Sequence, residues 1–482
     1  MSVRVRFAPS PTGYLHIGGA RTAIYNYLYA KANKGTFVLR IEDTDTERSK
    51  REYEESQIKD LKWLGLTYDE GPDNPGEYGP YRQSERTEIY QKYANQLIDE
   101  NKAFHCFCTD EQLDAKREEA IAQERSPHYD GTCRNISKED ALKRIESGEK
   151  ATIRFKVPMK SYSLVDEVRG KVEFPEDMVG DFVIMRSNGL PVYNYCCVVD
   201  DWLMKITHVI RAEDHLPNTL RQLMIYEAFD ATPPIFAHAS LLVGHDRQKL
   251  SKRHGATSVN AYTADSYLPE ALANYLCLLG WSHPDEENIF KLSDIENIFT
   301  SKRFSKAAAL YDIEKLKWCN AQHLRSLDTK TLIKRSAEFI DKDSPYHEMN
   351  DEWKARFVEL YKEKIDLFSQ FNEKVSEVFG DEIEKTQELL EILSWETTGQ
   401  IRTYLNEQID SLISNSNEFA TEEDIGNWIN HVKKEMKIKG KPLFMGVRSN
   451  LTGKDHGPDL KVLATLTPLK TIKSRIEKIA GL

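Results

Sequence analysis

The chain has 482 residues, 40% of them apolar and 30% charged, and a net charge of −11. That length exceeds what one core holds and predicts two to four domains of ordinary globular composition. No apolar run approaches the ~18 residues of a membrane-spanning helix, no signal peptide opens the chain, and seven unevenly spaced cysteines argue against a disulfide framework. A cytoplasmic protein with no membrane partner is expected. The acidic balance sits badly with a nucleic-acid partner, yet docking is decided by local patches rather than by the total.

Residues 3 to 100 alternate strand-like runs (Val3–Ala8, Thr36–Ile41) with helical ones (Gly19–Asn33, Glu47–Leu64, Glu85–Glu100). This predicts βαβ units and a parallel sheet that receives ligands at the carboxyl ends of its strands. The first strand runs into Ser10-Pro11-Thr12-Gly13-Tyr14-Leu15-His16-Ile17-Gly18-Gly19, a tight turn followed by a His-x-Gly-Gly helix start. Such a turn lets backbone approach a nucleotide closely and aims helix N–H groups at phosphate. From Phe104 to about Pro191 the pattern breaks into a cysteine-bearing segment, a charged helix and short strands, which reads as an insertion. Residues 192 to 245 return to strands and a helix (Pro217–Phe229) that complete the sheet.

Lys249-Leu250-Ser251-Lys252-Arg253 then places two lysines and a serine on a loop suited to gripping a polyphosphate. Either string alone recurs by chance; the pair, in this order on an α/β pattern, is specific. A helix over Leu268–Leu279 is marked by Pro269 near its start and Gly280 at its stop. Beyond about Arg325 the chain is helix-patterned and strand-poor. Between His431 and Lys454 lie Lys433, Lys434, Lys437, Lys439, Lys441 and Arg448, either a solvated helix face or a surface for nucleic acid.

The stretch Phe7 to Arg21 resembles the opening of a bacterial-type glutamyl-tRNA synthetase, a class I aminoacyl-tRNA synthetase. Further matches fall in the family's order: Arg40-Ile41-Glu42-Asp43-Thr44-Asp45, Gly79-Pro80-Tyr81-Arg82-Gln83-Ser84, Val209 to Asp214, and Lys249 to Gly255. Phe444 to Arg448 and His456-Gly457-Pro458 extend the likeness over nearly the whole chain. The two strings correspond to the HIGH and KMSKS signatures, with Gly19 where the second histidine would stand, as is usual in the glutamyl branch. The strand-poor last third and the Ser-Pro-Thr-Gly turn favour this branch over the glutaminyl one. The resemblance implies an α/β Rossmann-type nucleotide-binding domain (1–103 and 192–256) with an inserted acceptor-end-binding domain (104–191). A helical stem-contact domain (257–325) and an all-helical anticodon-binding region (326–482) follow. It also implies ATP with Mg2+, L-glutamate and tRNA(Glu) as partners, and a monomer.

Activating a carboxylate on the α-phosphate of ATP asks the protein for alignment and positive charge rather than covalent chemistry. His16 and the Gly18 and Gly19 amides can serve the phosphates from one side, with Lys249, Ser251 and Lys252 closing from the other. By matching to the family, Arg6, Ala8 and Ser10 line one wall of the glutamate pocket and Glu42 faces the α-amino group. Tyr193 and Arg211 lie on the returning strands. An arginine fork binds a carboxylate bidentately; a surface ion pair of Arg211 with Glu213 or Asp214 is the structural alternative. Glu213 and the segment Leu241–Val243, with Leu242 at its centre, are expected to hold the adenosine.

Cys106-x-Cys108, followed after 24 residues by Cys133, is a metal-like arrangement. Some glutamyl enzymes bind Zn2+ here through three cysteines and a histidine, a position held by Asn135 in this chain. Tyr129 resembles the fourth ligand of a shortened relative, and His105 and His128 are further candidates. The alternative is three ordinary reduced thiols. The other reaction classes open to the resemblance are a glutaminyl synthetase, the shortened enzyme that modifies a tRNA base, and a non-catalytic tRNA-binding paralogue. The shortened relative lacks the C-terminal third, and a non-catalytic paralogue is expected to lose His16, Lys249 or Lys252.

Overall fold

The computed structural model describes residues 2–251 and 257–482. They form two compact units, residues 1–264 with 269–319, and 265–268 with 320–482. The first unit begins with β1 (Arg4–Phe7) and β2 (Thr36–Leu39), paired parallel from Arg4↔Thr36 to Phe7↔Leu39. All four β1 residues are buried, as expected of a strand covered on both faces. The crossover is α1 (Ile17–Ala32), whose small and apolar positions Ala20, Ala23, Ile24 and Leu28 are buried.

Helices α2 (Arg51–Trp63) and α3 (Thr87–Asp99) follow. The sequence pattern extended both of them N-terminally. Asp45 instead ties down a local turn, its side chain accepting from the Arg48 amide at 3.2 Å and its carbonyl from the Ser49 amide, which competes with helix. Before α3, residues Gln83–Arg86 form a separate 3-10 turn that turns Gln83 and Arg86 toward Asp200.

The inserted segment carries β3 (Ala103–Cys106), α4 (Asp110–Ala122), α5 (Lys138–Glu146), β4 (Thr152–Phe155), the hairpin β5 (Tyr162–Asp166) and β6 (Gly170–Phe174), and β7 (Phe182–Met185). Its sheet is antiparallel in the order β3–β4–β7. Phe104, Cys106, Phe107, Cys133 and Ala141 form a small core of their own. The hairpin returns to the main sheet, where the Glu167 amide donates to the Phe236 carbonyl.

The chain then re-enters the main sheet through α6 (Tyr193–Leu203), β8 (His208–Ala212), α7 (Leu216–Ala228) and β9 (Ile235–Ala239), so that Tyr193, expected on a strand, instead opens a helix, while Arg211 lies on β8 as expected. β8 and β9 pair parallel, and β1 meets the start of β8 where the Thr207 amide donates to the Arg4 carbonyl at 2.9 Å. Short strands β10 (Leu242–Val243) and β11 (Ala309–Leu310) add a parallel rung. The expected parallel α/β nucleotide-binding architecture is therefore present.

The second unit is helical, with no strand among its described residues. In the helix Glu396–Ser414 the four-residue spacing of Ile401, Leu405 and Ile409 makes one buried stripe, packed on Trp428, Val447, Leu451 and Ile472. Gly446 permits the closest approach, since a Cβ there would lie 2.7 Å from Ile401 Cδ1. Among the described residues no helix is long and apolar enough to cross a membrane.

Candidate active site

A cavity of about 940 Å³ opens where β1 and β8 end. Arg6, Ala8, Ser10, Glu42, Tyr193 and Arg211, drawn from both ends of a span of 205 positions, line it together. His16, Gly18, Gly19, Leu242, Lys249 and Ser251 line the same cavity. Lys252 and Arg253 lie outside the described residues. Glu213 is not on the wall: its carboxylate accepts from the Leu241 amide at 2.9 Å and pairs with Arg169, so it braces the Leu241–Val243 backbone from behind.

Arg211, on β8, is 5% exposed. Its Nη2 donates to Thr219 Oγ1 at 2.8 Å and Gln222 Oε1 at 2.7 Å, and its Nε to His238 Nε2 at 3.1 Å. Nη1 is buried and has no hydrogen-bond partner. Every one of these acceptors is neutral, so the surface ion pair with Glu213 or Asp214 is not what holds this residue. A buried cation that lines a cavity and has only neutral acceptors calls for an anion.

Arg6 and Glu42 belong to an ionic network that sequence reasoning missed. Arg6 Nε donates to Asp201 Oδ1 at 3.1 Å. Arg40, fully buried, reaches Asp201 Oδ1 at 2.6 Å and Glu42 Oε1 at 3.0 Å. Burial raises the Glu42 carboxyl above its ordinary range, against the pull of Arg40 and Arg6. Next to Asp201, Asp200 accepts from Arg86 Nε at 2.7 Å, Gln83 Nε2 at 2.8 Å and the Tyr90 hydroxyl at 2.8 Å. The available signal was the pair of consecutive aspartates inside the apolar run Tyr195–Leu203; two such charges on a buried helix demand cationic partners. Tyr193 hydroxyl and His215 Nδ1 are 3.1 Å apart.

His16 is the N-cap of α1, its Nδ1 accepting from the Gly18 amide at 3.0 Å. One of the two amides expected to face phosphate is thus used internally. A neutral imidazole that accepts at Nδ1 carries its proton at Nε2, which leaves a donor on the cavity side. Burial, then the nearby Lys249 charge, lowers the His16 pKa and keeps that neutral form. A Cβ at Gly18 would lie 3.2 Å from His16 Nδ1, which explains glycine beside the cap. Across the cavity, Lys249 Nζ is 2.5 Å from Asp214 Oδ2.

The three thiols of Cys106, Cys108 and Cys133 lie within 4.8 Å of one another, without His105 or His128 in the group. Cys108 and Cys133 Sγ are 3.7 Å apart, close to the ~3.8 Å edge of a tetrahedron of 2.3 Å zinc–sulfur bonds. Tyr129 Oη lies 3.4 Å from Cys106 Sγ and 3.7 Å from Cys108 Sγ. The donor set therefore fits a tetrahedral soft-metal ion. Cys196, Cys197, Cys277 and Cys319 are buried singly or in pairs elsewhere.

The capped His-x-Gly-Gly helix start, the two wall arginines Arg6 and Arg211, and Lys249 thus border one cavity. The family described as "tRNA synthetases class I (E and Q), catalytic domain" matches residues 2–318, and "Anticodon binding domain" matches 331–480. The chain belongs to the glutamate and glutamine branch of the class I tRNA synthetases. It is 43% identical to a glutamate–tRNA ligase of Natranaerobius thermophilus, over 96% of this chain and 95% of that one. It is 45% identical to glutamate–tRNA ligase 1 of Caldicellulosiruptor saccharolyticus, over 99% of both. A crystal structure of a glutamate tRNA ligase from Elizabethkingia meningosepticum, in complex with its amino acid, superposes with a TM-score of 0.89 at 32% identity, covering 100% of this chain and 99% of that one.

Proposed function

We infer that the chain is a glutamate–tRNA ligase that activates L-glutamate with ATP and transfers it to tRNA(Glu). The α-carboxylate of glutamate attacks the α-phosphate of ATP and pyrophosphate leaves. The terminal ribose hydroxyl of the tRNA (the 2′-hydroxyl, by class I analogy) then attacks the glutamyl-adenylate and AMP leaves. The observation that carries the glutamate reading is Arg211 itself, a buried cation on the cavity wall whose hydrogen-bond acceptors are all neutral. A γ-carboxylate satisfies it; an amide would leave charge and donor uncompensated.

In this reading Arg6, Ala8, Ser10 and Tyr193 complete the glutamate wall and Glu42 takes the α-ammonium. His16 Nε2–H, the Gly19 amide, Lys249, Ser251 and Lys252 surround the triphosphate, Gly18 lets the chain pass close while its amide stays on the His16 cap, and Leu242 packs on the adenosine. Glu213 acts through the Leu241 backbone rather than by contact. Mg2+, carried in with ATP, would neutralise part of the phosphate charge. Charging assays with purified tRNA(Glu) and tRNA(Gln) test the assignment; incorporation of glutamine in place of glutamate would overturn it.

Segments 104–191, 257–325 and 326–482 take the acceptor end, the stem contact and the anticodon respectively. The exposed lysines Lys433, Lys434, Lys437 and Lys439 supply the basic surface for the last. Arg448 instead donates to the Pro458 carbonyl, and Lys454 faces Glu377 and Glu384. Cys106, Cys108 and Cys133, with Tyr129, would hold one structural Zn2+. When bound, the ion would tie β3 to the Tyr129–Cys133 turn.

A further inference from the structure

We propose that Asp166 and His238 are positioning residues for glutamate recognition: Asp166 fixes the imidazole tautomer through which His238 aims Arg211 into the cavity. This rests on the reading of Arg211 as the cation for the substrate side chain. The three residues come from different parts of the chain. Asp166 ends β5 in the inserted segment, while His238 and Arg211 are register partners on the adjacent parallel strands β9 and β8. Asp166 is 1% exposed and His238 0%.

The hydrogen bonds leave one consistent arrangement of protons. Asp166 Oδ1 accepts from the amides of Val168 at 2.9 Å and Arg169 at 2.8 Å. Asp166 Oδ2 lies 2.6 Å from His238 Nδ1, and the His238 amide is 3.3 and 3.2 Å from the two oxygens. An ionised carboxylate only accepts, so Nδ1 carries the proton. The neutral ring then offers its Nε2 lone pair, which receives Arg211 Nε–H at 3.1 Å and lies 3.3 Å from Thr219 Oγ1. Burial, with the Arg211 charge, lowers the His238 pKa against the raising effect of Asp166, in keeping with a neutral ring. The same bonds from His238, Arg169 and Val168 hold the Asp166 carboxyl below its ordinary range although burial pushes it up.

The interposed imidazole separates two demands. A carboxylate touching Arg211 directly would orient it but would also neutralise it and compete with the substrate carboxylate. Acting through a neutral ring, Asp166 sets the direction of the guanidinium and leaves its charge for the ligand. This is the role that partner groups of a histidine play generally when they decide which nitrogen carries the proton.

Asp166→Asn is a sharp test because the site dictates how the amide sits. The Val168 and Arg169 N–H groups hold the amide oxygen, so its NH2 faces His238 Nδ1. The ring must then accept at Nδ1 and move its proton to Nε2, where it opposes Arg211 Nε–H. Nitrogen-15 NMR of the full-length protein is expected to show that proton shift. The KM for glutamate in tRNA(Glu) charging should rise about 10- to 100-fold, the worth of a hydrogen bond to a charged group, with KM for ATP unchanged. His238→Gln keeps an acceptor near the Nε2 position without help from Asp166. It should cost less than His238→Leu, and adding Asp166→Asn to it should cost nothing more. An unmoved tautomer, equal rises in both KM values, additive losses in the double variant, or equal losses for Gln and Leu would each overturn the proposal. Arg211→Lys separates the two levels: an unchanged glutamate KM there defeats the pocket reading itself, whereas a raised KM with a silent Asp166→Asn defeats only the positioning role. Should Asp166→Asn fail to fold, the Gln and Leu comparison at His238 decides.

Discussion

Arg40 Nη1 donates to Asp201 Oδ1 across 2.6 Å between side chains that are 0% and 4% exposed. Arg6 Nε shares that oxygen at 3.1 Å. A residue of β1 and the residue that follows β2 are thereby fastened to one carboxylate on α6. Desolvating such groups is costly, and the arrangement holds because each charge has an opposite within reach. Burial alone would raise the Asp201 pKa, but Arg40 and Arg6 bring it below the ordinary carboxylate value.

Asp201→Asn should therefore lower stability by about 3–5 kcal/mol, the cost of leaving buried cations uncompensated. Denaturant unfolding monitored on the intact chain checks this. Because Arg6 also lines the cavity, glutamate affinity should fall as well. An unshifted midpoint would mean that water reaches the network.

Arg211→Ala is expected to reduce glutamate activation by about 100-fold or more, since a charge-assisted contact is lost. The wild type should reject glutamine by about 10⁴-fold, because a neutral amide leaves the buried guanidinium unpaired. Competition between the two amino acids in tRNA(Glu) charging measures both. Wild-type glutamate kinetics in the variant would remove Arg211 from the pocket.

Lys249→Ala, and equally Lys252→Ala, should slow adenylate formation by about 100-fold or more with a smaller change in the KM for glutamate, as expected of donors that act on developing phosphate charge. Pre-steady-state measurement with tRNA(Glu) present reads that step. An unchanged rate would make Lys249 merely the surface partner of Asp214.

What was legible in the sequence is what depends on local pattern. The β1–α1 turn shows through its Pro and Gly residues, the helix Pro269–Leu278 shows through Pro269 and Gly280, and the helical last third shows through its periodicity. The glutamate wall was reached through family resemblance, and the cavity brings those residues together. The supporting groups were not legible, because their partners are distant in sequence. Asp201 pairs with Arg6 across 195 positions, and Asp166 meets His238 across 72. Neither pairing leaves a spacing signature. The Gly18 amide was misread for a related reason: the turn pattern marks a helix start but not which acceptor its cap takes.

Purified protein should contain near-stoichiometric zinc that is lost in Cys106→Ser/Cys108→Ser. The three thiols and the Tyr129 hydroxyl converge about as four ligands would, and Cys133 Sγ also receives the Phe107 amide at 3.5 Å. Since these groups belong to the small core with Phe104 and Ala141, loss of the ion should loosen the insertion and raise the KM for tRNA more than that for glutamate. Elemental analysis and charging kinetics on the same preparations decide; metal-free protein with full activity would leave three ordinary cysteines.

The pH dependence of stability should carry a mark of His215, whose pKa is lowered to about 4 by burial and by the Arg211 charge, against the opposing pull of Asp214. The unfolded chain takes up this proton near the ordinary value of 6.5, so between pH 6.5 and 4 the unfolded state binds more protons than the folded one. Stability therefore falls as pH drops through that window and is unaffected by this group above it. At pH 5 the loss relative to pH 8 amounts to about 2 kcal/mol. Replacing the ring by one that cannot protonate, His215→Phe, gives up the 3.1 Å contact with Tyr193 and should be less stable than wild type at pH 8. Its disadvantage should shrink toward pH 5, because it escapes the protonation penalty. Parallel denaturation midpoints across this range measure the difference; a constant gap between the two proteins would show that His215 titrates normally in the fold.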